Sequence, residues 1–207
     1  MSLILVIGAL AAAAGVFAVP VSAAVSSTIA FKKKLSNGTN IAYYFDPSLG
    51  NTALGSLDIR PRIIAARERI MYPPGLSNPI ILWRTTTWLD SKMDFKQYAG
   101  NQTTATVGVT QWFKRIAPGN TQSSFGVMMK SELDQQDWLY GTIAFGNAQM
   151  KRYNANKQEL IIIHEMMHVY GGKDITAASS ILNAAEIESG VVTKLTSDAN
   201  SILVDKY

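Results

Sequence analysis

The segment IIIHEMMHVYGGKD, from Ile161 to Asp174, contains both histidines of the chain. On an α-helix, residues four apart share a face one turn from each other, so His164 and His168 can point two imidazoles at one cation. Zinc is the cation such a pair most often serves. Glu165 is rotated by about 100° from His164 around the axis, which sets its carboxylate beside the cation and not on it. From there it can take a proton from an attacking water and later hand that proton to a leaving amine. A structural site gives Glu165 no such task, and structural zinc usually takes four protein ligands, often thiolates, which a chain without cysteine cannot supply.

Two histidines leave a third ligand to be found. Gly171, three residues after His168, can adopt the left-handed conformation that ends a helix and turns the chain back. That turn brings Asp174 toward the same cation. The alternative is a carboxylate from a separate helix, Glu188 or its neighbour Glu186, as in the thermolysin-like arrangement. That reading gives Gly171 no role, and few residues follow Glu188 to build the helical domain such an architecture needs. Tyr170 and Lys173, though close in sequence, are read as packing and solvent-exposed residues.

The elements that must position these groups can be read outward from them. Gln158 to Tyr170 is a helix, apolar through Leu160 to Ile163 and stopped by Gly171-Gly172. Asp58 to Met71 is a second, with Ile59, Ile63, Ala66 and Ile70 at helical spacing and Pro61 in the first turn. A third starts at Thr196-Ser197 and carries Ala199, Ile202 and Leu203. Strands are expected at Asn40 to Phe45, Pro79 to Thr86, Thr104 to Phe113, Phe125 to Met129 and Gly141 to Phe145. The four tryptophans and most methionines lie in or beside these strands and read as core. The order is strand, helix, several strands, helix, loop, helix, the pattern of an α/β (α+β) chain.

Composition narrows the function classes. A formal charge of +4, from 19 Lys and Arg against 15 Asp and Glu, is too slight for a nucleic-acid footprint. The Lys32-Lys33-Lys34 run reads as a solvated face. Leu3 to Val25 carries no charge and ends in small residues, so residues 1–23 are expected to be a signal peptide; a retained membrane anchor is the alternative. Residues 24–207 then form the catalytic domain of a secreted monomer, with no stable membrane association once the signal is cleaved.

His164-Glu165-Met166-Met167-His168-Val169-Tyr170-Gly171-Gly172-Lys173-Asp174 resembles the HExxHxxGxxH signature of the metzincin zinc proteases, with Asp in the place of the third His. The HExxHxxGxxD form is similar to that of the snapalysins, small secreted metalloproteases. Ser180-Ile181-Leu182 looks like the tight turn that metzincins place under the metal, with Leu replacing Met. Leu195 to Leu203, with the closing Tyr207, resembles the last helix of matrixin-like enzymes. The resemblance implies a zinc endopeptidase with His164, His168 and Asp174 on Zn2+ and Glu165 as general base, acting on protein or peptide substrates. It implies a twisted five-stranded mixed sheet with two long helices, an active-site helix and a short C-terminal lobe ending in a helix, and puts Gly141 to Phe145, or the strand before it, at the edge that pairs with substrate. Thiol-based latency is ruled out by the absence of cysteine. An exported zinc-binding module that cleaves nothing is the rival outside the enzymes.

Overall fold

The computed structural model describes residues 26–50, 57–98 and 107–207. The expected signal peptide, and residues 104–106 of one expected strand, lie outside them. Six strands form one mixed sheet: β1 (Asn40–Phe45), β2 (Ile81–Thr85), β3 (Ser91–Gln97), β4 (Gly108–Arg115), β5 (Phe125–Val127) and β6 (Tyr140–Phe145). Their spatial order is β2-β1-β3-β6-β4-β5. The first four of that order are parallel; β4 runs antiparallel to β6, and β5 antiparallel to β4.

The expected five-stranded sheet thus gains a sixth member, β3, near its centre. Ser91, Met93, Phe95 and Gln97 are buried, while Lys92, Asp94 and Lys96 between them are only partly covered. The period of two is present in the sequence, but three charged residues in seven disguise it as a loop. A second correction concerns β6. It is flanked by β3 and β4 and all six of its residues are buried, so it is internal; the other expected edge strand, the one before it, is β5, which does stand at an edge, as β2 does at the opposite one.

Five α-helices accompany the sheet: α1 (Arg60–Met71), α2 (Asn147–Met150), α3 (Ala155–Val169), α4 (Ala184–Ser189) and α5 (Ser197–Lys206). In α1, Ile63, Ala66 and Ile70 are buried at the expected spacing, with Ile59 buried at the cap and Pro61 in the first turn. Arg62 and Arg69 both reach Glu159, at 3.4 and 3.0 Å, and so tie α1 to α3. α3 begins three residues before the expected start, because the Asn154 side chain accepts the Lys157 amide at 3.0 Å and caps it. α3 lies across β4 and β6, and Gly141 of β6 permits the approach: a Cβ there would lie 2.8 Å from the Val169 side chain.

Of the four tryptophans expected in the core, Trp112 and Trp138 are buried. Trp83 is 47% exposed on edge strand β2, and Trp88 is partly exposed. Among the described residues, no helix is long and apolar enough to cross a membrane.

Candidate metal centre and cleft

The C-terminus of α3 places the site, and every carbonyl there has a partner. The Gly171 amide returns to the His168 carbonyl at 2.9 Å and the Gly172 amide to the Met167 carbonyl at 2.8 Å, the paired bonds of a Schellman turn. Gly171 has φ +94°, the left-handed conformation expected of it. Two buried indoles complete the cap: Trp112 Nε1 donates to the His168 carbonyl at 2.8 Å, and Trp138 Nε1 to the Val169 carbonyl at 2.9 Å. A strap just before β1 then clasps the loop after the turn. The Phe31 amide donates to the Gly171 carbonyl at 2.8 Å, and the Lys173 amide to the Ile29 carbonyl at 2.9 Å.

That loop delivers Asp174. Its Oδ1 is 3.4 Å from His164 Nε2 and 3.1 Å from His168 Nε2, and the two Nε2 atoms are 3.0 Å apart. Each Nδ1 faces a carbonyl, Ile181 O at 2.8 Å for His164 and Gly172 O at 2.9 Å for His168. A carbonyl has no hydrogen to give, so both Nδ1 atoms are the donors and both neutral rings present an Nε2 lone pair to the same point. Two lone pairs and a carboxylate oxygen in mutual contact repel one another unless a cation stands among them. Tetrahedral zinc with bonds of roughly 2.0–2.1 Å needs ligand atoms roughly 3.3 Å apart. The three residues fit that requirement, and the fixed Nδ1 bonds are the outer support that ligating histidines normally have.

The three groups also act on one another's protonation. The two imidazoles beside Asp174 hold its carboxyl far below the usual carboxylate range. Burial is the largest influence on His168 and pushes its pKa down, but the Asp174 hydrogen bond, the Glu165 charge and the Gly172 carbonyl together outweigh it, so the net shift is upward.

Glu165 is buried beside this cluster, against β4. The Thr110 hydroxyl donates to Glu165 Oε2 at 2.7 Å and is 3.1 Å from the Glu165 carbonyl. Below the histidines, Ser180-Ile181-Leu182 forms a turn with Ser179 at φ +59°. Ser180 donates to Asp198 at 2.6 Å, the Ile181 carbonyl takes the His164 Nδ1 bond, and Leu182 packs where a Cβ on Gly172 would lie 2.8 Å from it. Thr196 does not cap α5 with its side chain; its hydroxyl accepts the Ile181 amide at 3.1 Å and holds the turn instead.

The group opens into a cleft of about 800 Å³ lined by Val107 and by Gly108, Val109, Thr110 and Trp112 of β4, by the α3 face, and by α4. β5 pairs only with Phe113 to Arg115, so among the described residues no strand occupies the outer edge of β4 from Gly108 to Gln111. Sequence reasoning placed the ligand trio together, and His164, His168 and Asp174 are the one potential metal-binding group of His, Cys, Asp and Glu among the described residues. Glu186 and Glu188 are not part of it; both lie on α4, and Glu188 lines the cleft. Tyr170 is fully buried, as expected of a packing residue. Lys173 is not simply solvated: its Nζ donates to the Ser27 carbonyl at 2.9 Å and lies 5.1 Å from the Phe31 ring.

Gly108, Thr110, Trp112, Phe31 and Tyr153 were missed from sequence, since no spacing relates them to the histidines. No family model matches the chain, and comparison with curated proteins finds no relative.

Proposed function

We propose that this chain is a secreted, zinc-dependent endopeptidase of metzincin-like type, active as a monomer on protein or peptide substrates. The observation that carries this reading is the convergence of His164 Nε2, His168 Nε2 and Asp174 Oδ1 beside a buried Glu165, in a cleft that continues past the cluster at both ends. His164, His168 and Asp174 would hold the metal. Zinc, when bound, would polarise the scissile carbonyl and acidify the attacking water.

The chain's own groups supply the rest. The edge of β4 from Gly108 to Gln111, unpaired among the described residues, offers main-chain donors and acceptors to an extended peptide, which orients the scissile bond over α3. Thr110 holds Glu165 Oε2, leaving Oε1 to take the proton from the water and pass it to the departing amine nitrogen. The walls of the cleft exclude bulk water from that transfer.

Native mass spectrometry of the purified protein and of its Asp174→Ala variant, with digestion of a denatured protein by the wild type and by Glu165→Ala, tests the reading. The expected results are one zinc per wild-type chain, much weaker retention in Asp174→Ala, and cleavage that disappears in Glu165→Ala. Full zinc retention by Asp174→Ala would remove Asp174 from the site. Zinc with no cleavage would make the chain a zinc-binding module.

A further inference from the structure

Lysines line one end of the cleft and Glu188 the other. Along α3 the residues facing it are Ile161, His164, Glu165 and His168, in that order from the N-terminus. β4 runs beside them in the same sense: Gly108 and Thr110 lie against Glu165, and Trp112 bonds the His168 carbonyl. Beyond Ile161 the wall consists of Tyr153 with Ala184, Ile187 and Glu188 of α4, while Phe31, Lys130 and Lys173 line the cleft at the His168 end.

A peptide joining the free edge of β4 in antiparallel pairing, the sense in which β5 and β6 already pair with it, has a fixed direction. Its N-terminal part lies toward the two lysines. Its C-terminal part, after the scissile bond, passes Ile161 and reaches Glu188.

We propose that Glu188 is a specificity-determining residue that selects Arg or Lys immediately after the scissile bond. The methylene stem of such a side chain would run along Ile161 and Ile187, and its charged end would meet the Glu188 carboxylate. This deepens the peptidase reading and rests on it.

The state of Glu188 supports the role. It is exposed, it lines the cleft, and among the described residues no Lys, Arg or His forms an ion pair with its carboxylate. Lys157 is engaged elsewhere: its Nζ donates to the Glu188 main-chain carbonyl at 2.6 Å and lies 5.4 Å from the Tyr153 ring. Tyr153 itself interacts with the carboxylate. Burial, and after it the Glu188 carboxylate, raises the phenol's pKa, so its hydroxyl stays protonated beside that carboxylate. An apolar side chain would fill the same wall of Ile161 and Ile187 but leave the charge unanswered.

Paired peptides that differ only by Arg or norleucine at the position after the cut test the proposal. Cleavage is followed by mass spectrometry with the wild type, Glu188→Gln and Glu188→Arg. In parallel, fluorescence anisotropy measures binding of both peptides to Glu165→Gln, which holds them uncut, and to the double variant Glu165→Gln/Glu188→Gln. The wild type is expected to prefer the Arg peptide by about fivefold, the scale of a partly exposed ion pair. The ratio should fall toward one in Glu188→Gln and invert, to favour norleucine, in Glu188→Arg. Because the ratio is internal to each variant, poor folding lowers both cleavages without moving it.

A norleucine preference in the wild type, or an Arg preference unchanged in Glu188→Gln, would overturn the proposal. Absence of any cleavage would overturn the peptidase reading and the selection at a scissile bond with it. The anisotropy arm would then report separately whether Glu188 recognises a cation, through an Arg-over-norleucine difference that disappears in the double variant.

Discussion

The carboxylate of Glu165 occupies the space that a side chain on Gly108 would need. A Cβ on Gly108 would lie 2.7 Å from Glu165 Oε1 and 3.0 Å from its Cδ. The strand floor and the general base of the proposed mechanism are therefore coupled through the absence of a side chain. The group in the way is the end of a flexible chain, so Gly108→Ala can be accommodated by moving the carboxylate. Alanine also suits a strand interior better than glycine, which offsets part of the cost. Gly108→Ala is expected to unfold in urea within about 1 kcal/mol of the wild type. Peptidase kcat/KM is expected to fall about a hundredfold, as for a 1 Å misplacement of a reacting group. Full activity in a Gly108→Ala protein of normal stability would disconnect the two residues.

Gly171 and Gly75 make a matched pair. Both have positive φ, +94° and +76°, but a Cβ on Gly171 would lie 3.0 Å from Trp138 Cη2, whereas nothing lies within 4 Å of one on Gly75. Gly75→Ala should therefore lose only the backbone cost of a left-handed residue, roughly 1–2 kcal/mol. Gly171→Ala should lose that and more, because Trp138 is fully buried and tied to the Val169 carbonyl. Its loop leads directly to Asp174, so zinc retention is expected to weaken in Gly171→Ala and to stay normal in Gly75→Ala. Parallel thermal melts and zinc titrations of the two variants check both statements.

What could be read in the chain beforehand follows the range of the interactions. His164, Glu165, His168, Gly171 and Asp174 are related by a helical turn and a helix stop, both local, and the spacing alone brings the ligand trio together. β3 was hidden for a different reason. Its buried set of Ser91, Met93, Phe95 and Gln97 includes two polar residues, and Lys92, Asp94 and Lys96 fill the alternate positions, so only its place between β1 and β6 reveals it as a strand. The floor of the site was beyond local reasoning altogether. Thr110 meets Glu165 across 55 positions and Trp112 meets His168 across 56, and only the completed sheet brings them together.

Removal of the proposed zinc should be costly in proportion to the crowding of the three groups that would hold it. With both Nδ1 atoms donating to carbonyls, the Nε2 atoms 3.0 Å apart have no hydrogen between them when both rings are neutral. A ligand held at a thousand times its dissociation constant stabilises the folded state by about 4 kcal/mol, which for a chain of this size is about 10 °C in Tm. Dialysis against a chelator at pH 7.5 is expected to lower Tm by that order and zinc to restore it. Asp174→Ala should begin near the metal-free Tm and respond much less to chelator. Identical melts of the wild type with and without chelator would deny the metal a structural share in the fold.

Asp94 lies away from the cleft and gives the fold a pH dependence of its own. Burial pushes its carboxyl up from 3.8 to about 6; the Ser91 hydroxyl donates to it and Lys96 opposes the rise, while Asp46 adds to it. The unfolded chain releases this proton near the ordinary value, so between about 4 and 6 the folded protein binds a proton that the unfolded chain does not. The contribution is therefore fully present below about pH 4 and is lost as pH rises through 6, after which the ionised buried group costs about 3 kcal/mol. Asn keeps an oxygen for the Ser91 hydroxyl and carries no charge. Asp94→Asn is expected to raise the urea-unfolding free energy by about 2–3 kcal/mol at pH 8 and by progressively less toward pH 4. Unfolding curves at pH 4.5, 6 and 8 decide the matter: a gain from Asp94→Asn that is constant across pH, or that grows toward acid, would mean that Asp94 is ionised in the folded protein throughout this range.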